Sequence, residues 1–112
     1  MAVRNFLVNL TPTEAMETIK DWVLGRSVSG TLVDQYERTV DDKIVIVIIL
    51  EKFYMRTNNR ASLTVTIDNF DGETNVRAVA AGTSEGLVMR FDWGAGKNFS
   101  NSVENALNPF II

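Results

Sequence analysis

The segment Ile44-Val45-Ile46-Val47-Ile48-Ile49-Leu50 is unbroken by any polar residue and ends abruptly at Glu51-Lys52-Phe53-Tyr54-Met55-Arg56. A helix that spans a bilayer needs about 20 consecutive apolar residues, so this run is far too short. It suits a strand buried on both faces. One face can rest on the chain's own core. The other must meet a helix, a second subunit or a ligand. If no helix covers Ile44, Ile46, Ile48 and Leu50, that face exceeds what a monomer normally exposes, and self-association through it is expected.

The rest of the composition narrows the function classes. A chain of 112 residues suits one domain, spanning residues 1–112. A net charge of −3 argues against a nucleic-acid-binding protein, although a local basic patch is compatible with it. There is no cysteine, which excludes disulfides, thiolate nucleophiles and zinc–thiolate sites. There is also no histidine, so the usual general base near neutral pH and the commonest metal ligand are both missing. Any catalysis would have to rest on carboxylates, Lys, Tyr or Arg. No enzyme, cofactor or metal is expected.

Residues 1–10 hold no sustained apolar segment and no cleavage signal, and read as the first strand of a cytoplasmic protein without membrane attachment. Thr11-Pro12-Thr13-Glu14 is a helix start: Thr11 caps, Pro12 takes the first helical position and Glu14 completes a capping box. Ala15, Met16, Ile19, Trp22 and Val23 follow at helical spacing until Gly25. Strands are expected at 30–40, 44–56, 61–68, 74–81 and 87–93, with a turn at Asp41-Asp42. A last helix at about 97–107 carries Phe99, Val103, Ala106 and Leu107 on one face, with Asn98 or Asn101 as its cap. The expected fold is therefore α+β: an antiparallel sheet of five or six strands with two helices on one face.

Turn chemistry proposes a register. Asp71-Gly72 is a two-residue hairpin signal that pairs Ile67 with Val76, Val65 with Ala78 and Leu63 with Ala80. A four-residue loop at 82–85 then sets Leu87, Met89 and Phe91 beside Ala80, Ala78 and Val76. A three-residue loop, Asn58 to Arg60, brings Phe53 and Met55 beside Val65 and Leu63. On the opposite face this register lines up Lys52, Thr66, Arg77 and Arg90 in one row. A one-residue slip in either outer hairpin dissolves that row. The register between 30–40 and 44–56 is left open.

Three candidate surfaces follow. The first is the self-associating Ile44–Leu50 face, which makes the protein a homo-oligomeric interaction module. The second is a small-molecule pocket between the sheet and the last helix, lined by Phe53, Met89, Trp93 and Phe99, with Glu51 or Arg77 fixing polarity. In this register Glu51 lies on the apolar face, unless a bulge rotates it outward. The third is an anion or single-stranded RNA site on the Lys52, Arg77 and Arg90 row; its only stacking aromatic is Tyr54, and a solvated face balanced by Asp68 and Asp92 is the simpler reading. Gly94-Ala95-Gly96-Lys97 fails as a phosphate loop, because Phe91 stands where the first glycine belongs and Asn98 follows the lysine. Asp68-Asn69-Phe70-Asp71-Gly72-Glu73 fails as a calcium loop at Phe70.

Three segments, Glu51 to Arg56, Asn59-Arg60-Ala61-Ser62-Leu63-Thr64 and Phe91-Asp92-Trp93-Gly94-Ala95, resemble a family of short proteins of unknown function from Gram-positive bacteria. The resemblance is clearest from about 44 to 107. Thr83, Ser84 and Glu85 depart from the family's more glycine-rich loop at 82–86. The resemblance implies one domain and no particular activity.

Overall fold

The computed structural model describes residues 2–26, 30–54, 59–84 and 101–112. The first strand, β1 (Ala2–Val8), leads into α1 (Pro12–Arg26). Four strands follow: β2 (Thr31–Val40), β3 (Lys43–Tyr54), β4 (Asn59–Asp68) and β5 (Thr74–Ser84). Residues 101–107 are helical and run into a 3-10 turn at Asn108–Phe110. The fold is α+β, an antiparallel five-stranded sheet in the order β1-β5-β4-β3-β2. The strand expected at 87–93 lies outside the described residues.

Local chemistry accounts for the helix start. The Glu14 N–H donates to Thr11 Oγ1 at 3.1 Å, and the Thr11 N–H donates to Glu14 Oε1 at 2.9 Å, a reciprocal capping box. Ala15, Met16, Ile19 and Val23 are buried on one side of α1, and Trp22 packs at the edge of the same core. The helix passes Gly25 and ends at Arg26. It crosses the inner face of the sheet over β3 and β4, joining strands that lie on opposite edges. Val103, Ala106 and Leu107 are buried from the second helix, as their spacing predicts. Phe99 and Asn98 lie outside the described residues. Asn101 is already inside the helix and does not cap it; its Oδ1 instead accepts two hydrogen bonds from Arg4 on β1, at 3.0 and 2.6 Å.

The β4–β5 register is the expected one: Ile67 faces Val76, Val65 faces Ala78 and Leu63 faces Ala80. Its turn closes through a Gly72 N–H bond to the Asn69 carbonyl at 3.0 Å, with Gly72 at φ 91°. That left-handed conformation suits a glycine. β2 and β3 turn through Asp41-Asp42 as predicted, Asp41 taking φ 54°. A bulge at Val33 shifts the β2–β3 register between Leu32 and Asp34.

Two pairings differ from the sequence expectation. β3 meets β4 with Leu50 opposite Leu63, Ile48 opposite Val65 and Ile46 opposite Ile67, whereas Phe53 faces Arg60. The even-numbered residues of β3 therefore point to the helices. Ile46, Ile48 and Leu50 are completely buried in the chain's own core, and Ile44 packs against its margin. This face is not available for self-association. The flank of β5 expected for 87–93 is held by β1, with Ala2 opposite Ala80, Arg4 opposite Ala78 and Phe6 opposite Val76.

Candidate functional site on the outer face of the sheet

Alternation along each strand sends every second side chain away from the helices. No described element covers this outer face. Its rows can be followed strand by strand through the register. One row runs Tyr36, Val47, Thr66, Arg77, Asn5; the next runs Asp34, Ile49, Thr64, Val79, Val3. On the other side of the first lie Arg38, Val45, Asp68, Asn75 and Leu7. The face is mixed. Val45, Val47, Ile49 and Val79 are partly exposed, Val3, Leu7 and Tyr36 more so, and charges of both signs lie among them.

This arrangement dissolves the basic row. Lys52 pairs with Ala61, and as an even-numbered residue of β3 it belongs to the helix side of the sheet. Thr66 and Arg77 stay neighbours, but β3 contributes Val47 to their row. Arg90 lies outside the described residues. Arg77 is exposed and remains a single charge on an otherwise uncharged row. No ion pair joins it to Asp68, whose Oδ1 accepts the Phe70 N–H at 3.2 Å inside the turn.

The small-molecule pocket is likewise taken apart. Glu51 and Phe53 are odd-numbered residues of β3 and so lie on the outer face, away from both helices. A pocket between sheet and last helix cannot include them. Met89, Trp93 and Phe99 lie outside the described residues. Glu51 reaches the surface without any bulge in β3, because the whole strand has the opposite facing from the one expected.

Glu51 and Phe53 do meet other groups. Arg60 lies directly across from Phe53 and diagonally from Glu51. Its Nη1 donates to Glu51 Oε1 at 3.2 Å, and its guanidinium carbon stands 6.0 Å from the Phe53 ring centroid. The Arg60 and Glu51 side chains are 63% and 37% exposed, so the ion pair contributes at most about 1 kcal/mol. Beside it is a shallow depression of about 160 Å³, lined by Glu51, Arg60, Ser62 and Ala81 and flanked by Ala61 and Gly82. It offers one cation, one carboxylate and a hydroxyl. Among the described residues no group of three or more acidic side chains stands close enough to hold a metal ion.

The edge strand β2 is the second distinctive surface. It has a described neighbour on one side only, and residues 33–40 are all exposed. Tyr36 is 50% exposed; its hydroxyl accepts a 3.1 Å hydrogen bond from Arg38 Nη1 on the same face. That bond raises the Arg38 pKa further, leaving the guanidinium charged at any accessible pH. On the inner face Lys20 Nζ donates to Gln35 Oε1 at 2.8 Å. In the sequence 30–40 is only a mixed strand, because nothing in its composition marks an edge. The opposite edge differs: Ile112 N–H donates to the Leu7 carbonyl and Asn9 N–H to the Phe110 carbonyl, both at 2.9 Å, so residues 110–112 cover the end of β1.

Comparison with known proteins adds a family. The model described as "Family of unknown function (DUF6054)" matches residues 1–111, and the chain belongs to that family. No curated protein matches it. No described helix is long and apolar enough to cross a membrane.

Proposed function

We propose that this member of a family of unknown function is a non-enzymatic interaction module that self-associates through the open side of its sheet. A cytoplasmic setting in a Gram-positive bacterium belongs to the same proposal, supported by the resemblance of the 51–56, 59–64 and 91–95 segments. The observation that carries the reading is β2, an exposed ten-residue strand with a described neighbour on one side. Unpaired strand edges are templates for pairing with another chain. The absence of histidine and cysteine from the chain supports an interaction role over acid–base or nucleophilic catalysis. Light scattering on a size-exclusion column, over a concentration series, tests the proposal. A dimer or larger species supports it; a monodisperse monomer at high concentration overturns it.

The depression beside the Arg60–Glu51 pair favours a second reading, a small polar or anionic ligand held at that end of the outer face. A thermal-shift screen of small anions should raise the melting temperature of the native chain and not of Arg60→Ala. A flat response from the native chain would sink this reading.

A further inference from the structure

We infer that two copies of the chain pair antiparallel along β2, about a two-fold axis through Tyr36, to form one continuous ten-stranded sheet. This rests on the self-association proposed above and specifies its partner, edge and register.

The argument begins with the charges on β2. Asp34, Tyr36 and Arg38 share the outer face, and Gln35 and Glu37 share the inner one. A two-fold axis perpendicular to the sheet can pass through any of these five residues. On Asp34 it sets two carboxylates against each other; on Glu37 it does the same, and on Arg38 it opposes two guanidinium groups. On Gln35 it faces Asp34 with Tyr36 and carries Glu37 and Arg38 past the bulge to Leu32 and Thr31, leaving every charge without a counterpart. Only the axis through Tyr36 places Asp34 opposite Arg38 of the second copy, twice by symmetry. Directly opposed unlike charges stabilise a strand pair, and like charges destabilise it.

The inner face agrees with that register. Glu37 of the second copy then lies across from Gln35, the residue that already holds the Lys20 ammonium. Lys20 is thereby positioned beside a carboxylate, again twice by symmetry. The Tyr36 side chains meet on the axis, each with its Arg38 already drawn to the hydroxyl.

Charged side chains and bulges normally guard an edge against pairing. Here the Val33 bulge interrupts β2 beyond Asp34, so the matched run is confined to residues 34–38. The charges within that run repel three of the alternative axes and attract for one. The edge is thus selective, and a short run gives a weak, concentration-dependent dimer. The other edge is partly occupied, because residues 110–112 bond to Leu7 and Asn9 at the end of β1 there.

Two sets of variants test this by sedimentation and by oxidation. Asp34→Arg and Arg38→Asp should each weaken dimerisation roughly tenfold or more, and the double exchange should restore it. All three side chains changed or kept are exposed, so folding is retained, which circular dichroism checks. The chain has no cysteine, so a thiol introduced by Tyr36→Cys can pair only with its counterpart. Directly opposed residues have Cα atoms about 4.5–5.5 Å apart, within disulfide range. Tyr36→Cys should therefore form a covalent dimer on mild oxidation. Val40→Cys should not, since its counterparts would lie about 27 Å apart. A dimer insensitive to both charge reversals, or one that cross-links equally through Val40→Cys, overturns the register and leaves self-association standing. A native chain that stays monomeric overturns both.

Discussion

Asn69 opens the β4–β5 turn, yet its side chain serves the turn between β2 and β3. Its Oδ1 accepts the Ile44 N–H at 2.8 Å, and its Nδ2 donates to the Asp42 carbonyl at 3.0 Å. The two hairpin ends are thereby clipped together across 25 to 27 residues of sequence. Asn69→Ala leaves the partly buried Ile44 N–H without its partner, and should cost about 1–3 kcal/mol. The urea midpoint should fall at unchanged slope, and Asn69→Asp, which keeps the acceptor, should fall less. An unmoved midpoint in the alanine variant would contradict the clip. Thr74 makes a comparable link, its buried hydroxyl donating to the Leu10 carbonyl. Neither link is legible in the sequence, because an isolated Asn or Thr next to a turn is explained equally well by the turn alone. The Thr11–Glu14 box was legible because both partners lie within four residues and the helix start needs them.

At the scale of elements, β3 decides which side chains are surface. Ile48→Ala should cost about 2–5 kcal/mol, as for a fully buried aliphatic side chain, whereas Val47→Ala next to it should cost under about 1 kcal/mol. Denaturation of the two variants checks this, and the reverse order would mean that β3 faces the other way. Period-two alternation normally reveals such facing. In β3 every residue from 44 to 50 is apolar, so the alternation vanishes over the part of the strand that matters. Facing then had to be carried over from the loop before β4. A three-residue loop puts Phe53 with Val65; the strands in fact pair out to Tyr54 and Asn59, and every side chain of β3 changes face. Lys52 left the basic row and Glu51 and Phe53 left the pocket for this one reason. The β4–β5 facing is legible because its strands do alternate, Leu63, Val65 and Ile67 inward against Val76, Ala78 and Ala80. β1 takes the flank of β5 expected for 87–93 for a different reason: strands so far apart in sequence share no turn from which to read their pairing.

Over the whole molecule the two edges of the sheet are treated differently. The end of β1 is covered by residues 110–112, and β2 is left exposed. Deleting Phe110, Ile111 and Ile112 removes the two backbone hydrogen bonds to Leu7 and Asn9, the Val8–Ile111 bridge and the packing of Phe110 and Ile111 on the core, and should lower stability by about 1–3 kcal/mol from the hydrogen bonds alone. It also uncovers the end of β1, so association that Asp34→Arg no longer weakens should appear beside the lower melting temperature. Calorimetry together with light scattering reads both; a deletion variant as stable as the native chain would show that these contacts are idle. The position of β1 carries one more consequence, for the order in which the molecule can be built. β1 leaves the ribosome before the other described strands, but its sheet partner β5 is the last of them, and the Asn101 that Arg4 holds lies 97 residues further along the chain than Arg4. At ordinary elongation rates the interval from Val8 to the end of its pairing on β5 is about 4–15 s. Over that time β2, β3 and β4 emerge in turn and can zip into consecutive hairpins while β1 waits unpaired. A nascent chain of this protein therefore spends seconds with β1 unoccupied beside a centre that is still growing, which is when a holdase would have most to protect.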